Sequence, residues 1–407
     1  MPDRISVRDV VSIDVPVRRY ATHSWDSYPA KMVPHLARYA LGEVSSKGHT
    51  VLDPFCGCGT VQVESLMMSR HSIGFDINPV AVLFSKAKST VYDTGALRKQ
   101  ANRIVGRASL EELRSCHDEA PRWLSYWFST ITLSKLVALR RCIDRMHSGD
   151  LKDICRAALA VSVRKVSRAD PRSPKPFISK SARRDRVGRH FDPFKEFVAV
   201  ANNLADSSDD LFRRIDANHI SKTAEGDARQ VRAFLGRRKV DAVVTSPPYL
   251  TAQDYFRSSK LELAVLGYWH PGLPNELGQK IVGSGRGAGS ESEIGPPSIH
   301  VPEIERLVAK NKKDGITALK YVADMGSVLE ECYKCLKVGG LACFVVGDCT
   351  MRGIELPIHR WILSLAKGTG FRLKKHELDI IRDRRLPPKR ERHSSVIECE
   401  HLLTFRR

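Results

Sequence analysis

Between Thr50 and Ser89 the chain sets out strand, glycine turn, helix, strand and helix in close succession, an order that few folds accommodate. Val51-Leu-Asp-Pro-Phe-Cys-Gly-Cys-Gly-Thr60 reads as a strand entering a turn at Gly57 and Gly59, where small residues let backbone N–H groups approach a ligand closely. The spacing predicts a helix from Thr60 to Ser69, a strand from His71 to Phe75 ending at Asp76-Ile-Asn-Pro79, and a helix from Val80 to Ser89. Residues 30 to 45 carry helical periodicity and lead through Ser45-Ser-Lys-Gly48 into the first strand. Such a βαβα unit predicts an α/β fold with a doubly wound, mostly parallel sheet.

A second segment about 190 residues later, Val243-Val-Thr-Ser-Pro-Pro-Tyr249, ends an apolar strand in a rigid turn. Two prolines remove two N–H groups and fix an extended backbone, with a hydroxyl before them and an aromatic ring after. That arrangement suits a flat ring bearing an amino group. Between the two segments, residues 93 to 216 read as helices without strands, an insertion between residues 1 to 92 and 217 to 407. The strand pattern resumes with a turn at Glu225-Gly-Asp-Ala228, a helix over Ala228 to Gly236 and the strand Val240 to Thr245. Residues 267 to 300, rich in Gly, Pro and Ser, predict a long mobile loop around Arg286. A helix over 317 to 336, a helix-ending turn at Lys337-Val-Gly-Gly340, a strand Leu341 to Gly347 and a helix near Pro357 to Lys367 follow. Two strands, Leu373 to Ile381 and Val396 to Phe405, close the chain as an antiparallel hairpin.

The formal net charge of the 407 residues is +20, an excess that favours a polyanionic partner through counterion release. Two clusters carry much of it: Arg164 to Arg189, with Arg164, Arg168, Arg183 and Arg184, and the segment holding Arg384 and Arg385. The absence of an apolar run of about 18 residues and of an apolar core near the start predicts a protein that neither crosses a membrane nor is exported. Ten scattered cysteines, two of them in the glycine turn, fit a reduced cytoplasm. Cys332-Tyr-Lys-Cys335 has no second pair nearby to complete a metal site, so no metal is expected there.

A dinucleotide fingerprint would place a third glycine after Gly59, where the chain reads Thr60-Val-Gln-Val. The glycine turn with Asp53 before it and Asp76 after it, together with Ser246-Pro-Pro-Tyr249, instead resembles the amino-methylating DNA methyltransferases, in the form most similar to the cytosine-N4 branch. The resemblance spans residues 20 to 92 and 222 to 405, and includes His23-Ser-Trp-Asp-Ser-Tyr-Pro-Ala-Lys31 and the strand ending Val346-Gly-Asp348. It implies a Rossmann-like fold that binds S-adenosyl-L-methionine, with Asp53, Gly57, Gly59 and Thr60 at the close-approach loop and Asp76 on the ribose hydroxyls. Asp227 would take the adenine amine, Phe55 would pack beside the cofactor, and Tyr28 and Lys31 would meet its methionine end.

The resemblance further implies methylation of a flipped cytosine in double-stranded DNA, with Ser246 and the Pro247 carbonyl accepting from the amine, Pro248 holding the turn and Tyr249 stacking on the base. Arg164, Arg168, Arg183, Arg184, Arg286, Arg384 and Arg385 would track phosphates. A prokaryotic, nucleoid-associated enzyme acting beside a separate restriction endonuclease is the expected setting. Adenine-N6 methylation, an RNA amine substrate and a non-catalytic DNA-binding protein are the alternatives. No Pro-Cys dipeptide occurs, which separates the chain from cytosine-C5 methylation.

Overall fold

The structure, a computed structural model, describes residues 6–7, 20–26, 28–29, 31–112, 120–173, 175–186, 191–216, 218–250, 255–284, 294, 298–381 and 397–407. A two-residue strand β1 (Ser6–Val7) precedes α1 (Pro34–Val44), β2 (Thr50–Asp53), α2 (Thr60–Met67), β3 (His71–Asp76) and α3 (Pro79–Ser89). The insertion follows as α4 (Thr94–Glu112), α5 (Thr130–Asp144), α6 (Asp150–Val166), α7 (Lys180–Arg186) and α8 (Pro193–Phe212). The sheet resumes with β4 (Ser221–Glu225) and, after the short α9 (Val231–Leu235), β5 (Val240–Thr245). Beyond α10 (Tyr255–Val265) and α11 (Leu273–Lys280) come helices Pro302–Lys310 and Lys312–Cys335. The C-terminal part holds β6 (Leu336–Val346), β7 (Cys349–Met351), β8 (Ile354–Leu356), helix Ile358–Thr369, β9 (Arg372–Ile380) and β10 (Cys399–Arg406).

Eight strands form one sheet in the order β1-β9-β10-β6-β5-β2-β3-β4. The run β6-β5-β2-β3-β4 is parallel throughout, and β10 is antiparallel to both β6 and β9. Alternate residues of the central strands feed two cores, as a parallel sheet covered on both faces requires. Leu52, Val243 and Phe344 pack against the helices Pro302–Lys310, Lys312–Cys335 and Ile358–Thr369, while Val51, Ala242, Val244, Cys343 and Val345 pack against α1. The expected Rossmann-like α/β fold with an antiparallel C-terminal hairpin is the fold observed.

Two local expectations differ, and one turn was not foreseen. Residues 267 to 300 do not begin as a loop: α11 places Leu273 and Leu277 in the core, with Ile281 one turn further on, a helical spacing obscured by neighbouring Gly and Pro. Lys337–Gly340 does not end a helix but lies within β6, where a register shift opposite Val240/Ala242 absorbs the left-handed Gly339. Met351-Arg-Gly-Ile354 turns the β7–β8 hairpin through left-handed Arg352 and Gly353, a chain reversal the sequence reading passed over. Among the described residues, no helix is long and apolar enough to cross a membrane.

Candidate active site

Chain order reverses between β2 and β5: the chain leaves β2 toward β3 and β4, then returns to lay β5 on the opposite side of β2. In doubly wound sheets, ligands bind outside the carboxyl ends of strands at such a switch point. Here the two loops singled out in the sequence emerge side by side. The Thr245 hydroxyl at the end of β5 donates to Asp53 Oδ1 at the end of β2, 2.6 Å away, tying the two loops together.

A cleft of about 860 Å³, open mouth included, lies over this point. Tyr28, Lys31, Asp53, Phe55, Gly57, Thr60, Asp76, Asp227, Ser246 and Pro248 all line it, so the fold brings most of the proposed cofactor residues together with two of the proposed catalytic ones. Gly59, Pro247 and Tyr249 do not line it. Gly59 is a packing residue: its left-handed backbone lies against α3, where a Cβ would fall 2.8 Å from Ser85 Cα. The Tyr249 hydroxyl donates to Glu400 of β10, and the ring lies beside Gly347.

The turn is held from within. Asp76 accepts from the Gly57 N–H at 3.0 Å and from the Asn78 N–H at 2.8 Å. The Asn78 side chain caps α3 by accepting from the Val80 N–H, and its amide donates to the Tyr28 hydroxyl and to Ser259 Oγ. Asn78 also lines the cleft, a position missed in the sequence although an Asn before a Pro-initiated helix is a strong cap signal. Lys280, Ile281 and Val282 were missed because α11 was. Asp227 faces the cleft with its carboxylate already gripped by the Arg229 guanidinium, which also binds Asp324 at 2.7 Å. Lys31 donates to the carbonyls of His23 and Asp26, so it braces the segment over the cleft.

Burial pushes the Asp53 carboxyl up to about 7, helped by the charge of Asp76 and opposed by the hydrogen bonds from Thr245 and the Phe55 N–H. Burial likewise pushes Asp76 up to about 6, helped by Glu225 and opposed by the N–H groups of Asn78, Gly57 and Ile77. Desolvated acids grouped around a glycine turn suit a cationic ligand with a diol, and S-adenosylmethionine, with its sulfonium, ammonium and ribose, meets that donor set. A cation in the cleft favours the ionised acids, so binding should release protons. Affinity for S-adenosylmethionine is therefore expected to rise as pH goes from about 5.5 to 7.5, following these two titrations, and to level off above. Calorimetry in buffers of different ionisation enthalpy checks the proton release; an affinity flat across this range would sink the assignment. The same shifts act oppositely on the ligand-free protein. Carboxyls that hold protons more tightly when folded than at their ordinary value of 3.8 contribute stability below pH 4 that is lost as pH rises toward 7.

The proposed phosphate contacts separate into groups. Arg164 is half-buried, donates to the Ser173 carbonyl at 2.5 Å and lines a small pocket with Glu262. Arg168 donates to the carbonyls of Ser125 and Tyr126. Arg183 and Arg184 are exposed on α7. Arg286, Arg384 and Arg385 lie outside the described residues. Cys332 and Cys335 are buried free thiols.

Comparison with known proteins agrees with this geometry. Residues 12–87 match the N6/N4 methyltransferase family, described as DNA methylase. The Type II methyltransferase M.MvaI of Kocuria varians is 24% identical over 371 residues, covering 85% of this chain and 81% of that protein. The Type II methyltransferase M.BsoBI of Geobacillus stearothermophilus is 22% identical over 422 residues, covering 87% and 79%. Among solved structures, the rRNA methyltransferase aviRa of Streptomyces viridochromogenes is 12% identical with a TM-score of 0.32, covering 98% of this chain and 94% of that one, a likeness too loose to bear on substrate.

Proposed function

We propose that the chain is an S-adenosylmethionine-dependent DNA methyltransferase that methylates the exocyclic N4 amine of a cytosine flipped out of duplex DNA. The observation that carries the reading is the shared cleft: Ser246 and Pro248 line the same wall-to-wall space as Asp53, Asp76 and the glycine turn.

When bound, S-adenosylmethionine supplies an electrophilic methyl group. The exocyclic amine is a weak nucleophile because its lone pair is delocalised into the ring. Ser246 Oγ and the Pro247 carbonyl accept its two N–H bonds, which favours a tetrahedral nitrogen and aims the lone pair into the cleft. Both acceptors sit on a backbone stiffened by Pro247 and Pro248, so little ordering remains to be done when the base arrives. Tyr249, anchored through its hydroxyl to Glu400, offers the stacking surface. Phosphates are met by the basic surface, with Arg183 and Arg184 on α7 and the segments holding Arg286, Arg384 and Arg385. The 93 to 216 insertion takes part in reading the sequence. The Type II relatives support a role as the modification half of a restriction system in a prokaryotic cytoplasm.

Mass spectrometry of nucleosides from unmethylated duplex DNA incubated with isotopically labelled S-adenosylmethionine tests the proposal. Label in N4-methyldeoxycytidine is expected. Label in N6-methyldeoxyadenosine would keep the mechanism and change the base, and label in RNA alone would overturn the DNA substrate. Ser246→Ala is expected to slow transfer by about 10²- to 10³-fold, the cost of removing one oriented hydrogen-bonding group from such a site. Cofactor affinity should change little, and equal turnover in the variant would refute the assigned role.

A further inference from the structure

Where β6 ends, Asp348 faces two imidazoles brought from elsewhere in the chain. His359, in the first turn of helix Ile358–Thr369, places Nδ1 at 2.7 and 2.9 Å from the two carboxylate oxygens. His401, in β10, places Nε2 at 3.6 Å from Oδ2, beyond hydrogen-bond reach. These ligand atoms all lie within 4.8 Å of one another. The other nitrogen of His401, Nδ1, is 2.8 Å from His376 Nε2 on β9.

We propose that Asp348, His359 and His401 form a binding site for a divalent transition-metal ion, best matched by zinc. Two imidazoles and one carboxylate are the borderline donor set that zinc accepts. With bonds of about 2.0–2.1 Å, ligand atoms around a tetrahedral ion stand roughly 3.3 Å apart, and the separations of 2.7 and 3.6 Å straddle that value. His401, ligating through Nε2, donates its Nδ1–H to His376, the outer partner that fixes ring orientation in metal sites. Asp348 is 37% exposed, which leaves room for water as a fourth ligand. The rings of His359 and His401 lie stacked, 4.0 Å apart between centroids and 8° from parallel, so at least one must turn out of the stack for both nitrogens to point at one ion.

The three ligands come from the end of β6, a helix start and β10, so an ion there cross-links the C-terminal hairpin to the sheet centre. Gly347 precedes Asp348 and lies against the Tyr249 ring, where an added Cβ would be 3.5 Å from Cε2. The ion would thereby steady the wall behind the proposed base-stacking residue. This inference stands on the cluster itself and does not depend on the choice of substrate.

The test uses untagged, full-length protein stripped with a chelator, titrated with Co²⁺ in the visible range and then displaced by Zn²⁺. One equivalent with a four-coordinate cobalt spectrum, and a higher thermal midpoint with Zn²⁺, are expected. His359→Ala and His401→Ala should each lose that equivalent. Asp348→Asn, which keeps the shape and an acceptor for His359, should remain folded by circular dichroism and also lose it. His376→Gln should keep the stoichiometry and bind about 10- to 100-fold more weakly. No uptake at micromolar Zn²⁺, or uptake unchanged in His359→Ala and His401→Ala, would overturn the proposal.

Discussion

Lys88→Met is expected to lower folding stability by about 3–5 kcal/mol, the usual cost of leaving one partner of a buried ion pair alone. Lys88 and Asp26 are fully buried with Nζ 2.9 Å from Oδ2, and Nζ also reaches Cys58 Sγ at 3.5 Å. Methionine keeps most of the stem and removes only the charge, so packing loss contributes little. Burial pushes the Asp26 carboxyl up, but the charges of Lys88 and Lys31, with hydrogen bonds from Lys88 and the Tyr28 N–H, outweigh it and hold it at about 2. A carboxyl so depressed contributes stability at neutral pH that is lost as pH falls from its ordinary value near 3.8 toward 2. The variant should lose that acid-limb dependence, and Lys88→Met/Asp26→Asn should cost less than the sum of the two changes. Urea unfolding across pH measures both. The effect reaches function because Asp26 fixes the Tyr28 backbone and Lys31, so cofactor affinity should fall in the same variant. A loss under 1 kcal/mol would show that Lys31, 3.6 Å from Asp26 Oδ1, and the Tyr28 N–H suffice to hold the acid.

The second large effect separates Gly57 and Gly59, two residues apart, which a sequence pattern would treat alike. Gly59→Ala sets a Cβ 2.6 Å from Ser85 Oγ and 2.8 Å from its Cα, on a backbone at φ +85°. Left-handed strain costs about 1–2 kcal/mol and overpacking about 1–3 kcal/mol, so a total near 3 kcal/mol is expected, with α2 pushed off α3. Gly57→Ala shares the positive φ, but its Cβ would meet only the Tyr28 ring at 3.7 Å. That variant should lose about 1–2 kcal/mol of stability and show the larger fall in cofactor affinity, because its methyl enters the cleft. Thermal unfolding with calorimetric binding resolves the pair; a Gly57 variant less stable than the Gly59 variant would reverse the roles assigned here.

What the sequence disclosed follows the range of the interactions. β2, α2, β3 and α3 were legible because apolar runs, glycine and proline act within a few residues, whereas the return of β5 beside β2, which joins the two loops in one cleft, is seen only in the structure. Asp53 and Asp76 could be placed from strand ends alone. The tie of Arg229 to Asp324 and the placing of Arg164 beside Glu262 could not, because each depends on a helix far away in sequence. A basic run in a sequence does not say which of its side chains face solvent. Helix α11 was misread because Gly and Pro were weighed above Leu273, Leu277 and Ile281, whose four-residue spacing was the better guide.

The insertion is not carried as a separate bead. Val80, Leu83, Phe84 and Ala87 of α3 share one hydrophobic cluster with side chains of α4, α5, α6 and α8, and with Trp25, Tyr28 and α10. The same helix α3 begins at Asn78, on the cofactor cleft. For protein engineering this means that the insertion is a poor cassette. Exchanging it whole between relatives would expose the back of α3 and loosen the cofactor pocket with it, so changes to the insertion are tolerated only where they leave the shared seam in place.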